Sequence, residues 1–220
     1  MSWVAKRRTM ASGYQFMIRA IFVPWKHGEL YEDYRTRGAV SKTFLTLVLM
    51  GLAFSVTSLT QATSGNFPAV PVILPLSLEN YFFWQTFLII PWLILSWFLV
   101  TTTTRLMLIV LGARKTSFRQ LLAFSGLSFS SCLFFLWIPH LLTTVFYLLG
   151  GSQKEWVEGL SEPGWLQTIY LVFIVLGVLS GWQALSLSLV KKKLAKNQVS
   201  ILTSSFNFLV WLVLLAILLR

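Results

Sequence analysis

Two histidines, one cysteine and seven acidic residues are all that this 220-residue sequence offers for acid–base, nucleophilic or metal chemistry. His27 and His140 are widely separated, and neither has a second histidine or a cysteine at metal-ligand spacing. Cys132 lies inside an apolar block, where a lone thiol reads as a small packing residue, and one cysteine excludes an internal disulfide. The acids Glu29, Glu32, Asp33, Glu79, Glu155, Glu158 and Glu162 all fall between the apolar blocks. That distribution disfavours proton-coupled transport through intramembrane carboxylates. No glycine-rich phosphate cradle is present. The expectation is a non-enzymatic chain with no catalytic residue, no metal and no cofactor.

The elements that carry these residues are apolar to an unusual degree. The chain is 56% apolar and 11% charged, whereas soluble domains carry about 25% charged residues. Blocks long enough to span a bilayer run from Thr43 to Leu59, Tyr81 to Gly112, Phe118 to Leu149, Trp165 to Val190 and Val199 to Leu219. The second and third would reach roughly 48 Å as helices, against a hydrocarbon core of ~30 Å. They must tilt and protrude or be broken, and Pro91 and Pro139 are the sites for a kink. Arg105 follows four threonines and marks a membrane boundary, so Leu106 to Gly112 are expected to project and pack against Phe118 to Phe124. Before the first block, Tyr14 to Trp25 is too short to span. It reads as an interfacial helix that Pro24 ends. Residues 60–80, with prolines at 68, 71 and 75, read as extended, and Gly151 to Gly164 reads as a polar loop. The first residues do not form a cleaved signal. The fold class expected is therefore an all-α polytopic membrane protein with about five transmembrane helices. It divides into an N-terminal segment, 1–42, and a five-helix domain, 43–220.

The net charge is +11. Because the basic residues sit in short segments between apolar blocks, they point to orientation and anionic lipid, not to nucleic acid. Assigning the connections alternately to two sides puts 16 of the 18 basic residues on the side holding 1–42, 104–120 and 191–198. The other side holds Lys154, Arg220 and four of the seven acids. The positive-inside rule then places the N-terminus in the cytoplasm and the C-terminus outside, in a cell (inner or plasma) membrane. Arg105, Lys191, Lys192, Lys193 and Lys196 become candidate anionic-lipid contacts. Tyr81, Trp84, Trp156, Trp165 and Tyr170 gather at the opposite ends of the spans, as an aromatic belt would.

Small residues mark packing faces. Gly177 and Gly181 form a GxxxG that continues through Ala184 and Ser188, a spacing that lets helices approach closely, within one chain or across a homodimer. Ser125, Gly126, Ser128, Ser131 and Cys132 make a similar surface on the third block. Gln183 and Asn207 lie at matching depths on antiparallel neighbours, so a hydrogen bond between them is expected.

Met17 to Trp25, leading through charged residues into a span, resembles the start of the Yip-type (Ypt/Rab-interacting protein) membrane domain, especially its bacterial members. The stretch Leu111-Gly112-Ala113-Arg114-Lys115-Thr116-Ser117-Phe118-Arg119-Gln120 is the closer match, and the five spans with a basic break before the last are also similar. The resemblance covers nearly the whole chain. It implies five spans and no catalytic residues. Eukaryotic relatives work in vesicle traffic with a long cytosolic N-terminal region that has no counterpart here, and some bacterial relatives resemble accessory subunits of ABC-type export systems. The leading expectation is a scaffold or accessory subunit that binds another membrane protein. Its partner-binding tip would be Gly112, Arg114, Lys115, Ser117 and Phe118. The rival readings are a transporter or channel-like protein for lipid or a small apolar solute, and a membrane-shaping or lipid-sensing protein.

Overall fold

The computed structural model describes residues 15–66, 68, 73–113 and 116–219, and for 28, 32–37 and 219 it describes the backbone alone. Among the described residues, seven α-helices follow in order. Residues 15–22 form α1, and a 3-10 turn, Pro24–Lys26, leads into α2, His27–Thr63. Then come α3, Tyr81–Val110, α4, Phe118–Leu148, α5, Gln153–Ser161, α6, Trp165–Lys191, and α7, Asn197–Leu219. Among the described residues, five stretches are long and apolar enough to cross a membrane: Gly38–Thr63, Leu78–Val110, Phe118–Leu148, Trp165–Lys191 and Asn197–Leu218. The protein is thus an all-α polytopic membrane protein.

α4 is the hub. α2, α3 and α6 pack around it, and every residue from Leu121 to Leu133 is buried. Its small residues make this possible. A Cβ on Gly126 would collide with the Thr43 methyl of α2 and the Trp97 indole of α3. α7 closes the core through Trp211, whose ring stacks on Phe129 at 3.8 Å. α3 and α4 run 30 and 31 residues, roughly 45 Å each, and both continue as helices through Pro91 and Pro139.

Several expectations need correction. The helix of the first span starts before Thr43, at His27, and α2 runs 37 residues through residue 42 without a break. Its charged lead-in contains good helix formers, and charge does not stop a helix outside the bilayer. The expected loop after Gly151 contains α5, which Ser152 starts with a full capping box to Glu155. These hydrogen bonds from Ser152, backbone first and then side chain, hold the Glu155 carboxyl below its ordinary pKa. Tyr81 and Trp156 do not join an aromatic belt. The Tyr81 hydroxyl is buried and donates to the Leu218 carbonyl at 2.7 Å. Trp156 is buried against Phe146 and Tyr147. Trp84 and Trp165 are exposed, as a belt requires.

The α1 helix ends where Pro24 says it must, and the consequence is structural. Proline lacks an N–H, so the Ala20 carbonyl loses its normal partner four residues on. Two side chains replace it: Ser131 Oγ of α4 donates at 2.7 Å, and His27 Nε2 lies at 2.8 Å. Phe16 and Ala20 are fully buried with Leu30 and Leu127, while Ile18 and Phe22 are exposed. α1 is therefore latched to α4, with the half-exposed Phe22 ring set edge-on against Phe134 and Ile18 outward. The His27 ring is 1% exposed, and burial pushes its pKa down to about 4 against a smaller upward push from the Ala20 carbonyl. The neutral imidazole is the form that fits the latch, with Nε2–H donating.

Candidate functional site

The structure places the predicted groups in four settings. The first is a polar network between α2, α3, α4 and the last turn of α7. Ser58 Oγ donates to Gln85 Oε1 at 2.9 Å and lies 3.3 Å from His140 Nε2. Gln85 Nε2 passes the chain on to the Leu218 carbonyl at 2.9 Å. Beside it, Gln61 donates to Thr144 at 3.0 Å, and Thr144 donates to the His140 carbonyl at 2.9 Å. A serine next to a histidine invites a nucleophile reading, but the geometry runs the other way. The Ser58 proton is committed to Gln85, so the His140 nitrogen facing Ser58 must donate, and a donor cannot act as the base. The network ties α2, α3 and α4 together and reaches the Leu218 carbonyl of α7.

The second setting concerns the small-residue face of α6. Gly177, Gly181, Ala184 and Ser188 are all buried. A Cβ on Gly177 would stand 3.0 Å from the Cys132 carbonyl, and one on Gly181 would stand 2.5 Å from the Phe208 ring and 2.9 Å from the Ser128 carbonyl. The face packs on α4 and α7 of the same chain. Gln183 and Asn207 are not brought together. Asn207 turns to α3, where it hydrogen-bonds Thr104 and accepts from Thr103 at 3.1 Å. Gln183 is exposed on the opposite side of α6. α6 and α7 are instead joined by Trp182 to Ser205 and by Ser186 to Ser200. α7 packs on both α3 and α6, and the threonine run of α3 supplies the hydroxyls.

The third setting is the outward face of α6. Val172, Leu176 and Leu179 are exposed and share a stripe with Gln183. Gln183 stands eight residues, about 12 Å, before the Lys191 end of the helix. An amide at that depth faces apolar surroundings unless another helix meets it.

The fourth setting is the end of the bundle where the basic residues collect. Arg105 extends over the Phe118 ring, 6.0 Å from its centroid. The apolar surface continues past it through the exposed Leu106, Ile109 and Val110. Lys191 Nζ donates to the Trp25 carbonyl at 3.0 Å, tying the turn before α2 to α6. Ser117 and Phe118 start α4, and Arg114 and Lys115 lie outside the described residues. Gly112 of the expected tip and Lys193 and Lys196 of the expected lipid contacts line one groove of about 610 Å³. Leu111, Ala113, Val190, Leu194, Ala195 and Val199 complete its walls.

Four helices end in the same six-residue turn, in which one residue takes the left-handed conformation. α2, α3 and α4 put Gly65, Gly112 and Gly150 there, with φ of 71°, 67° and 90°. α6 puts Lys193 there, at φ 54°. A side chain in that region costs about 1 kcal/mol relative to glycine. Lys196 caps the start of α7, its carbonyl accepting the Ser200 N–H at 2.8 Å. A cation there opposes the positive end of the helix dipole.

Fold and site together define a class, a five-span helical membrane protein whose interior polar groups hydrogen-bond from helix to helix. Beyond the class, no protein-family model, curated protein or solved structure matches the chain. Among the described residues, no three histidine, cysteine, aspartate or glutamate side chains lie together as a metal site would need.

Proposed function

We propose that the protein is a non-enzymatic subunit or scaffold that docks another membrane protein along the outward face of α6. The Val172–Leu176–Leu179–Gln183 stripe carries this reading, because an exposed intramembrane amide on the least-covered span is what a partner helix would satisfy. An accessory role in an export system of ABC type is the finer form, resting on the resemblance to bacterial Yip-type domains. The charge asymmetry supports a cell membrane with the basic end and N-terminus in the cytoplasm. The transporter reading is less well supported. The apolar cleft among Phe54, Leu93, Leu133 and Leu215 has no room for a water molecule.

Native purification followed by mass spectrometry tests the proposal. Wild-type protein should co-purify with a stoichiometric membrane partner. Gln183→Leu should lose that partner while keeping its own thermal midpoint, since Gln183 bonds to nothing within the described chain. Retention of the partner by Gln183→Leu, or isolation of the wild type as a lone monomer under the mildest extraction, would overturn it.

A further inference from the structure

We infer that the groove between the α3–α4 and α6–α7 connections is a seat for one anionic phospholipid, its headgroup phosphate held by Lys193 and Lys196. The chemistry of the walls selects this occupant. Leu111, Val190, Leu194 and Val199 offer an apolar surface, and the two lysines stand exposed at its rim, with no acid among the described lining residues. The groove sits at the ends of spanning helices α3, α6 and α7, where a lipid headgroup and the first part of its acyl chains are found together. A soluble anion would have no use for the apolar walls, and a neutral lipid would leave the lysines unanswered.

Two local rules are broken at this groove, and one ligand relieves both. Lys193 occupies a left-handed position that three other helix ends in the same chain give to glycine. Lys196 puts positive charge at the positive end of α7. A phosphate between them answers the repulsion at Lys196 and gives Lys193 a reason to be something other than glycine. Places where a sequence departs from locally favourable choices tend to be functional sites. The inference does not depend on the α6 docking face, which lies along the membrane-embedded part of the helix.

Full-length protein in phosphatidylcholine nanodiscs, with or without a minority of phosphatidylglycerol, provides the test. The readout is lipid retained after detergent extraction, by native mass spectrometry. The wild type should hold one phosphatidylglycerol in preference to phosphatidylcholine. Lys193→Gly and Lys196→Gln should each lower its occupancy about fivefold, the worth of one lysine at an anionic surface. Lys193→Arg should keep it. Arg119→Gln, which removes a charge at the same end but outside the groove, should leave it unchanged. In pure phosphatidylcholine, Lys193→Gly should melt no lower than the wild type, because glycine is at ease in that turn. Wild-type occupancy in Lys193→Gly would overturn the inference. So would an equal loss in Arg119→Gln, which would reduce the effect to general charge, or full displacement by glycerol 3-phosphate, which has no acyl chains.

Discussion

α4 and α6 have nearly the same length and the same mean hydropathy, yet 72% of the most apolar stretch of α4 is buried by the rest of the protein and 22% of that of α6. Hydropathy measures what a helix avoids, and lipid tails and protein side chains are equally dry. The difference lies in the small residues. α4 carries Ser125, Gly126, Ser128, Ser130 and Ser131 around its whole girth, and all are buried. α6 carries its small residues along one stripe and leaves large aliphatic side chains on the other. One helix is built to be surrounded, the other to be approached from one side.

The strongest way to break this contrast is to enlarge the hub. Gly126→Leu would drive a side chain into Thr43 and Trp97 at once. It should cost ~3 kcal/mol or more, visible as loss of monodisperse protein on size exclusion. Next comes pH, acting through the latch between α1 and α4. The His27 pKa is about 4 in the folded chain against an ordinary 6.5. The unlatched chain therefore takes up the proton first. The contribution is whole above 6.5 and is lost as pH falls towards 4, by about 3 kcal/mol in the limit. Thermal midpoints of the wild type should fall between pH 7 and pH 4.5, whereas His27→Gln, which keeps a donor but does not titrate, should give a flatter profile. The smallest effect belongs to α6. Leu179→Ala removes an exposed side chain and should move the midpoint of the isolated protein by the equivalent of about 0.5 kcal/mol or less. A drop as large as for a core residue would mean that α6 is not the open helix.

The spans were legible because each is an apolar block bounded by charge or by glycine. α3 and α4 begin at Tyr81 and Phe118, where the blocks begin. α5 carries the Ser152–Glu155 spacing of a capping box, but its polar composition reads as a loop. What could not be read is neighbourhood. Asn207 bonds to Thr103 and Thr104 and not to Gln183, because position along the sequence does not say which helix lies alongside. Tyr81 and Trp156 look like interfacial aromatics until a carbonyl or a ring is found to receive them. In the sequence the groove is two separate features, a tip at Gly112 and a cluster at Lys191 to Lys196. Their union depends on two turns some eighty residues apart in the chain, and the left-handed conformation of Lys193 has no signature in residue type.

The bond between Ala20 and Ser131 also sets a timetable. The two residues are 111 positions apart. At about 5–20 residues per second of synthesis, α1 exists for on the order of ten seconds before the hydroxyl that completes its last turn is made. Through that interval the Ala20 carbonyl has no Ser131 hydroxyl to meet it, and α2, α3 and α4 must all be made before α1 can dock. A short helix early in the chain thus finds its place only after the hub of the bundle exists.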